Sequence, residues 1–247
     1  MRALVLSAVL SKVPGMTEDL VPAVRAALAA IADPAKAEPM RAYMKSAMPM
    51  LGVTQPERTA ALRPVLSEHP LPDAGRWRAA VLELWRGATF REERYAALTV
   101  ARHRPYRGFL LGEPVESLRM LDELVVTGAW WDFVDETAIR LVGPLLLFVP
   151  DVVGPVVRAW ATDADRWRRR TAVICQIGAK DRTDTALLAA AIEATAGDRD
   201  FFLRKGIGWA LRQHAKTDPQ WVLDFVAWHE LSPLSRREAL KHLGGSP

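Results

Sequence analysis

Apolar residues recur with the spacing of an α-helix in nearly every segment of this chain, and the alternation that marks strands joined by hairpin turns is missing. Helix starts are marked by aspartate followed by proline at Asp33-Pro34 and Asp218-Pro219. The segment from Thr54 to Glu57 has the pattern of a capping box. These features predict an all-α fold.

The spacing predicts short helices joined by short loops, which suggests stacked helical hairpins. The predicted helices span residues 17–32, 34–47, 54–68, 74–86, 90–103, 114–126, 130–148, 151–162, 165–179, 183–196, 199–215, 219–229 and 233–243.

A loose repeat supports this arrangement. A basic residue recurs near the start of the second helix of successive pairs, at Arg94, Arg170, Lys205 and Arg237, and Asp135 takes the position after Arg94. The intervals along this series are 41, 35, 35 and 32 residues. If the repeat is real, the second helices line one face of a solenoid, and that face carries a basic residue per repeat and a single acid.

The composition bounds the class of protein. Half of the 247 residues are hydrophobic, which allows a sizeable core, yet no apolar run reaches the roughly 18 residues that a membrane-spanning helix needs. The one cysteine, Cys175, excludes a disulfide framework and a thiolate metal cluster, and it fits a reducing cytoplasm. The five histidines have no metal-ligand spacing, and neither a P-loop nor a nucleophile elbow occurs. We therefore expect no metal and no cofactor.

The first residues of the chain are apolar and weakly resemble a signal peptide. Lys12 interrupts the run, and no clear small-residue cleavage site follows it. We expect instead that translation has an alternative start and that the folded part begins at Met16. The sequence thus predicts an N-terminal extension over residues 1–15 and a single domain over residues 16–247.

The segment from Thr127 to Asp135 places two adjacent tryptophans and two aspartates at the start of an apolar run. Thr127 is the expected N-cap of a helix that begins at Trp130. Trp131 and Asp135 are four residues apart, so they share a side of this helix. A carboxylate beside an indole is costly if it is buried without a partner. Asp135 is therefore either a structural partner of Arg170 or part of a functional site.

Two further expectations concern the same helix. Asp132 is expected to face solvent, or to act as a helix-start charge that the helix dipole favours. The expected core stripe consists of Val134, Ala138, Leu141 and Leu145.

The net charge of +4 and the pI of about 9.4 are mild, so the distribution of charge matters more than its sum. Arg168, Arg169 and Arg170 point in most directions around a helix start. More basic residues follow in the C-terminal half, at Arg158, Arg204, Lys205, Arg212, Arg236, Arg237 and Lys241. Together these residues predict a face that tracks nucleic-acid phosphates, although ordinary solvated charge explains most runs of this kind.

Tryptophan is frequent, with nine residues, and its indole can stack on a base or cover a sugar ring. Trp131, Trp167 and Trp209 lie near the repeat positions. Trp209 follows Gly206 and Gly208, and two glycines inside a helix predict that something packs closely on its backbone. Core positions are expected for Trp77, Trp85, Trp160, Trp221 and Trp228.

Several blocks of the chain match those of one known family. They are Lys36–Lys45, Leu51–Arg58, Val126–Asp135, Trp167–Arg170, Phe201–Arg212 and Leu231–Ala239. With these blocks in the right order over about residues 16–243, the chain resembles the AlkD family of bacterial DNA-alkylation-repair glycosylases. The resemblance implies HEAT-like helical hairpins in a C-shaped solenoid, with a basic concave face around duplex DNA. Residues 1–15 have no counterpart in the family.

The resemblance also implies roles for individual residues. The family's catalytic aspartate falls on Asp135, and its two sugar-contacting tryptophans fall on Trp131 and Trp209. Its phosphate-contacting arginine falls on Arg170, and an aromatic residue of its first block falls on Tyr43. The expected DNA contacts, which include members of the basic face, are Arg170, Tyr43, Arg169, Lys205 and Arg237.

The activity that the resemblance implies is removal of N3- and N7-alkylated purines from duplex DNA. We expect a metal-free, cytoplasmic, monomeric enzyme with no obligate protein partner and no membrane attachment. The resemblance further implies that the damaged base is not flipped into a pocket, and no base pocket is evident in the sequence. Two alternatives stay open: a non-catalytic helical-repeat protein that recognises damaged or structured DNA, and a scaffold for protein interactions.

Overall fold

The structure is a computed structural model, and it describes residues 20–243. The predicted extension over residues 1–15 and the predicted helix start at residue 17 lie outside the described residues. The α-helices are α1 (Leu20–Ala30), α2 (Pro34–Met44), α3 (Gln55–Glu68), α4 (Ala74–Arg86), α5 (Arg91–Ala101), α6 (Arg107–Gly112), α7 (Pro114–Gly128), α8 (Trp131–Thr137), α9 (Gly143–Phe148), α10 (Pro150–Ala161), α11 (Arg166–Ile174), α12 (Thr185–Thr195), α13 (Phe201–His214), α14 (Pro219–Trp228) and α15 (Pro233–Leu240).

These helices form two layers. In the outer layer α1, α4, α7, α10 and α12 contact one another in that order, and in the inner layer α3, α5, α8, α11, α13 and α15 do the same. Helices α4 and α5, α7 and α8, and α10 and α11 pack as pairs across the layers. The prediction of an all-α fold built as a helical-repeat solenoid is confirmed.

Aspartate side chains cap α11 and α13, the helices that carry Arg170 and Trp209. The Asp165 carboxylate accepts hydrogen bonds from the backbone N–H groups of Trp167 and Arg168, at 2.7 and 3.0 Å. Asp200 caps α13 in the same way, at 2.7 and 3.1 Å. These bonds satisfy N–H groups that have no partner inside the helix. The starts of α11 and α13 are thereby fixed.

Thr127 does not begin a helix, and that prediction is wrong. It lies in the last turn of α7, which ends because Ala129 adopts the left-handed conformation with φ at 44°. The Thr127 hydroxyl donates to the Glu123 carbonyl at 2.6 Å and accepts from the Trp85 indole at 2.8 Å. Trp130 is the residue at the N-cap of α8.

The helix predicted over residues 130–148 is a single helical run that contains a wider π turn over Ala138–Val142. Gly143 follows this turn, and a Cβ at that position would lie 2.2 Å from the Cys175 carbonyl oxygen. The end of α11 therefore packs directly on this backbone. The predicted core stripe is confirmed as fully buried: Val134, Ala138, Leu141 and Leu145.

The sequence predicted no helix between residues 103 and 114, which was wrong. A 3₁₀-helix spans Arg104–Tyr106 and leads into α6. Tyr106 and Leu110 are buried, and the Tyr106 hydroxyl accepts a hydrogen bond from the Leu71 N–H at 3.0 Å. A helix of six residues is too short to show a helical period, and its packing comes from distant residues.

The tryptophans predicted for the core are placed there with one exception. Trp77 and Trp85 are fully buried, Trp160 is buried, and Trp221 packs against the core at its edge. Trp228 is 86% exposed, so its prediction is wrong. It is the last residue of α14.

The close approach predicted at the α13 glycines is confirmed. A Cβ at Gly208 would lie 2.4 Å from the Glu238 Cβ and 2.8 Å from the Ser235 carbonyl oxygen, both on α15. A Cβ at Gly206 would lie 3.0 Å from Nη1 of Arg170. Glycine is therefore required at position 208 for α15 to contact the α13 backbone, and glycine at position 206 leaves room for the Arg170 guanidinium.

We predict that Gly208→Ala destabilises the protein, although alanine is the better helix former. The added methyl group meets α15 backbone, and overpacking of this kind costs about 1–3 kcal/mol. Gly108→Ala is the matched control, because no atom lies within 4 Å of a Cβ there. That variant should be neutral or up to about 1 kcal/mol more stable. Denaturant unfolding of both variants checks this, and equal stability of the two would contradict the packing.

Candidate active site

The predicted site is organised by an ion pair between α8 and α11. The Asp135 carboxylate accepts two hydrogen bonds from the Arg170 guanidinium, Nε to Oδ1 at 2.7 Å and Nη2 to Oδ2 at 2.8 Å. The side chains are 14% and 6% exposed, so both charges are largely removed from water. The structural partnership that the sequence left open for Asp135 therefore exists, and it makes the carboxylate a shielded, fixed acceptor.

Helix α13 completes the arrangement around Arg170. Nη1 of Arg170 donates to the Phe202 carbonyl, and Gly206 gives the guanidinium room against the helix backbone. Trp209 is three residues beyond Gly206, so it shares that side of α13, and it is half-buried at the core edge. Asp135, Arg170 and Trp209 thus come from three successive inner-layer helices.

Trp131 lies at the start of α8, one turn before Asp135, and is 37% exposed. Its neighbour Trp130 instead packs against Phe202, with ring centroids 5.6 Å apart. Trp167 is buried against Val125 and Val134 and offers no surface for stacking. Of these tryptophans, Trp131 has the indole that is most open to a ligand.

Burial raises the pKa of Asp135 above its ordinary value of 3.8, and the nearby charge of Asp132 acts in the same direction. The hydrogen bonds and charge of Arg170 oppose this shift without cancelling it. Because the pKa of Asp135 is higher in the folded chain than in the unfolded chain, this shift adds to the free energy of unfolding. The added stability is fully present at pH values below the unfolded pKa. That contribution is lost as the pH rises through the folded pKa.

Asp132 does not face solvent, but it lies in the first turn of α8, as the other predicted alternative has it. Its carboxylate accepts a hydrogen bond from Arg91 Nη2 at 2.7 Å and another from the Tyr95 hydroxyl at 2.5 Å. Arg91 Nε donates to the Tyr95 oxygen at 2.9 Å. Burial, followed by the charge of Asp132, raises the pKa of Tyr95. This network fixes the first turn of α8, and hence Trp131, against α5.

The residues predicted to contact DNA differ in their exposure and in whether an acidic residue already pairs with them. Tyr43 is 80% exposed, and Arg237 is exposed on α15. Lys205 is paired with Glu238 at 2.8 Å, and Arg169 is paired with Asp198 at 3.0 Å. Much of the basic charge predicted for the C-terminal half is therefore already partly neutralised by neighbouring acids.

Another group of basic residues went unrecognised in the sequence. Arg104, Arg107, Arg140 and Arg182 are exposed, and their side chains have no ion pair or hydrogen bond within residues 20–243. Arg140 lines three adjoining clefts that also contain the other three arginines and Arg102. These four unpaired arginines, the arginine surface, come from separate segments, so no run of charge signals them.

A cavity of about 570 Å³ lies beside Trp131, and no motif of the sequence indicated it. Its lining residues include Met40, Tyr43 and Met44 of α2, Arg58 of α3, Tyr95 of α5 and Trp131 of α8. These helices come from four places in the chain, and for that reason the sequence showed no pocket.

From Leu20 to Leu243, no group of three or more His, Cys, Asp or Glu side chains is placed to hold a metal ion. No helix in the same part of the chain is both long and apolar enough to cross a membrane.

The DNA alkylation repair enzyme family matches residues 24–243, and the chain belongs to this family. Among solved structures, it is similar to one described as a predicted DNA alkylation repair enzyme from Enterococcus faecalis. The TM-score is 0.71 at 30% sequence identity, over 87% of this chain and 98% of that one. No curated protein matches the chain.

We predict that the pKa of Asp135 lies above 3.8 and that Arg170→Gln raises it further, because the variant removes the main group that favours the charged carboxylate. Carboxyl NMR titration checks both statements. Arg168→Gln is the matched control, since Arg168 is paired with Asp122 and Asp163 and should leave the Asp135 midpoint unchanged. An unchanged or lower midpoint in Arg170→Gln would contradict this electrostatic account.

Proposed function

We propose that this member of the DNA alkylation repair enzyme family is a DNA glycosylase. It hydrolyses the N-glycosidic bond of N3- and N7-alkylated purines in duplex DNA. The observation that carries the proposal is the largely buried carboxylate of Asp135, which Arg170 holds. It lies one helical turn after Trp131, whose indole is partly exposed. A purely structural pair does not require an exposed aromatic ring next to it.

The chemistry needs little more than a well-placed anion. An N3- or N7-alkylated purine is already positively charged, so the base takes the electrons of the C1′–N9 bond and leaves as a neutral purine. The sugar becomes cationic as that bond breaks. Water adds its oxygen to C1′ and gives up a proton, which Asp135 or solvent accepts. No strong general acid is needed.

Asp135 supplies the electrostatic stabilisation in this proposal. A carboxylate at about 4 Å from the sugar cation, with an effective dielectric near 20, gives roughly 4 kcal/mol of attraction. This corresponds to about a thousandfold in rate. Because Asp135 is fixed by Arg170 before DNA binds, little reorganisation is needed. The same carboxylate can orient the attacking water.

Arg170 can donate hydrogen bonds to Asp135 and to a DNA phosphate at the same time. A guanidinium has five N–H donors, and three of them go to Asp135 and to the Phe202 carbonyl. The remaining two can donate to a phosphate without breaking the pair. We propose that Trp131 and Trp209 hold the sugar, since the electron-rich face of an indole favours a developing positive charge.

DNA binding is assigned to two sets of residues. The first set comes from the sequence: Tyr43, Arg169, Arg170, Lys205 and Arg237. The second is the arginine surface, whose side chains form no ion pair within the described range. Unpaired arginines lose less by binding phosphate than paired ones, because no ion pair has to be given up.

We predict that replacing Arg104, Arg107, Arg140 and Arg182 together by glutamine weakens DNA binding and its salt dependence. The slope of log K against log salt should fall by about 0.9 for each phosphate that the variant no longer neutralises. The matched control replaces Arg86 and Arg119, which are exposed but paired with Glu123 and Glu116. Binding titrations at several salt concentrations check this. A slope as steep as that of the wild type would remove the arginine surface from the interface.

A second candidate function is that of a non-catalytic DNA-binding protein, and the Asp135–Arg170 pair itself favours it. A bidentate pair of this kind can serve packing alone. Both candidates predict DNA binding, so only turnover distinguishes them.

We predict that the wild type releases 7-methylguanine from methylated duplex and that Asp135→Asn is slower by at least about tenfold, or 1.4 kcal/mol of barrier. Single-turnover release with DNA affinity measured in parallel checks this. Asp181→Asn, an exposed aspartate of the 3₁₀-helix Lys180–Arg182, is the matched control and should be unaffected. Binding without release by the wild type would leave the non-catalytic function.

A further inference from the structure

The indole of Trp209, which the proposed function places against the sugar, has a basic residue on either side of it along α13. Lys205 precedes it by four residues and Arg212 follows it by three, so the three side chains lie on one side of the helix. Two cations beside the sugar would oppose the positive charge that develops there as the glycosidic bond breaks. They would also attract the phosphates of any duplex, whether damaged or not.

Glu238 of α15 pairs with both of these cations. Its Oε1 accepts a hydrogen bond from Lys205 Nζ at 2.8 Å, and its Oε2 accepts one from Arg212 Nη1 at 2.7 Å. The hydrogen bond from Lys205, supported by that from Arg212, lowers the pKa of Glu238 below its ordinary value of 4.5 although burial opposes this. The side chain of Lys205 is 40% exposed and that of Glu238 only 16%, so DNA would meet the lysine and not the carboxylate.

Close packing of α15 on α13 fixes the position of the Glu238 carboxylate. A Cβ at Gly208, the residue before Trp209, would lie 2.4 Å from the Glu238 Cβ. One turn before Glu238, the Ser235 hydroxyl donates to the Arg204 carbonyl at 2.9 Å. The negative charge is therefore held beside α13 before any ligand binds, which is the condition for electrostatic preorganisation.

The two helical glycines of α13 put an ion pair on each side of Trp209. At Gly206 the backbone meets the Arg170 guanidinium, whose charge Asp135 balances, and at Gly208 it meets Glu238. The basic groups around the proposed sugar position thus have carboxylate partners, whereas the arginine surface has no ion pair within the described residues. Positive charge is reduced near the reacting sugar and retained farther away.

We propose that Glu238 is a specificity residue that acts through the two cations it pairs with. By neutralising Lys205 and Arg212 in part, it weakens the attraction of undamaged duplex and favours a nucleotide whose sugar becomes cationic. This inference rests on the proposed function, because it is there that Trp209 is assigned to the sugar. Glu238 itself makes no contact with DNA.

The test replaces Glu238 by glutamine, which keeps the shape of the side chain and removes its charge. Glu238→Gln should bind undamaged duplex at least about threefold more tightly, and log K should fall more steeply with log salt, by about 0.9 for each phosphate gained. At saturating enzyme it should release 7-methylguanine from methylated duplex at least about threefold more slowly. Binding titrations at several salt concentrations and single-turnover release measure the two effects. A merely structural role would weaken binding instead of strengthening it.

Two further variants serve as controls. Glu116→Gln changes the net charge by the same amount and breaks an exposed pair with Arg119 on α7, so both affinity and rate should stay at the wild-type level. Glu238→Asp keeps the negative charge and should keep the salt dependence of the wild type.

Arg212→Gln keeps the test decisive if Glu238→Gln does not fold. It leaves Glu238 with a single cation, so the surroundings of Trp209 become more negative. Release of 7-methylguanine at saturating enzyme should then be at least about twofold faster than in the wild type. Arg86→Gln, which removes an exposed partner of Glu123 on α4, is the control and should leave the rate unchanged.

Each outcome has a distinct meaning for the two proposals. If the wild type releases no purine, the proposed function fails, and the role of Glu238 fails with it. If the wild type releases 7-methylguanine but folded Glu238→Gln matches it in affinity for undamaged duplex or in rate, Glu238 does not determine specificity, and the glycosylase proposal stands. The same changes in Glu238→Asp as in Glu238→Gln would also overturn the role of the charge. If Glu238→Gln does not fold, unchanged or slower release by Arg212→Gln overturns it.

Discussion

The pairing of Asp135 with Arg170 is the interaction on which the centre of this molecule depends. Two charges taken out of water are costly unless their geometry is good and their remaining donors are satisfied. Here α8 supplies the carboxylate and α11 supplies the guanidinium. Helix α13 supplies the Phe202 carbonyl and the space left by Gly206. The packing of these three inner-layer helices against one another therefore depends on the ion pair that the Asp135 carboxylate forms.

Helix α8 uses its two sides for different purposes. Asp135 faces α11 and is held by a single guanidinium, whereas Asp132 faces α5 and is held by Arg91 and Tyr95. The second network fixes the turn that carries Trp131, whose indole lines the cavity one helical turn before Asp135. Rigid support on both sides is what a site needs in order to act electrostatically, since a preorganised charge avoids reorganisation during reaction.

Local pattern and distant packing explain what the sequence could and could not predict. The helical period gave the all-α fold, the four-residue spacing put Trp131 and Asp135 on one side, and two helical glycines predicted a close contact at α13. The partners of Asp132 were not predicted because they lie on α5, 41 and 37 residues away. The cavity and the arginine surface were missed for a related reason, since each joins residues from separate helices that carry no shared motif.

We propose that the Asp135 carboxylate stabilises positive charge on the deoxyribose. The most direct test compares duplex DNA that carries a cationic pyrrolidine in place of one sugar with duplex that carries a neutral tetrahydrofuran there. We predict that the wild type binds the cationic duplex at least about tenfold more tightly, which is 1.4 kcal/mol, and that Asp135→Asn loses this preference. Equal affinity of the wild type for both duplexes, or a preference that persists in Asp135→Asn, would contradict it.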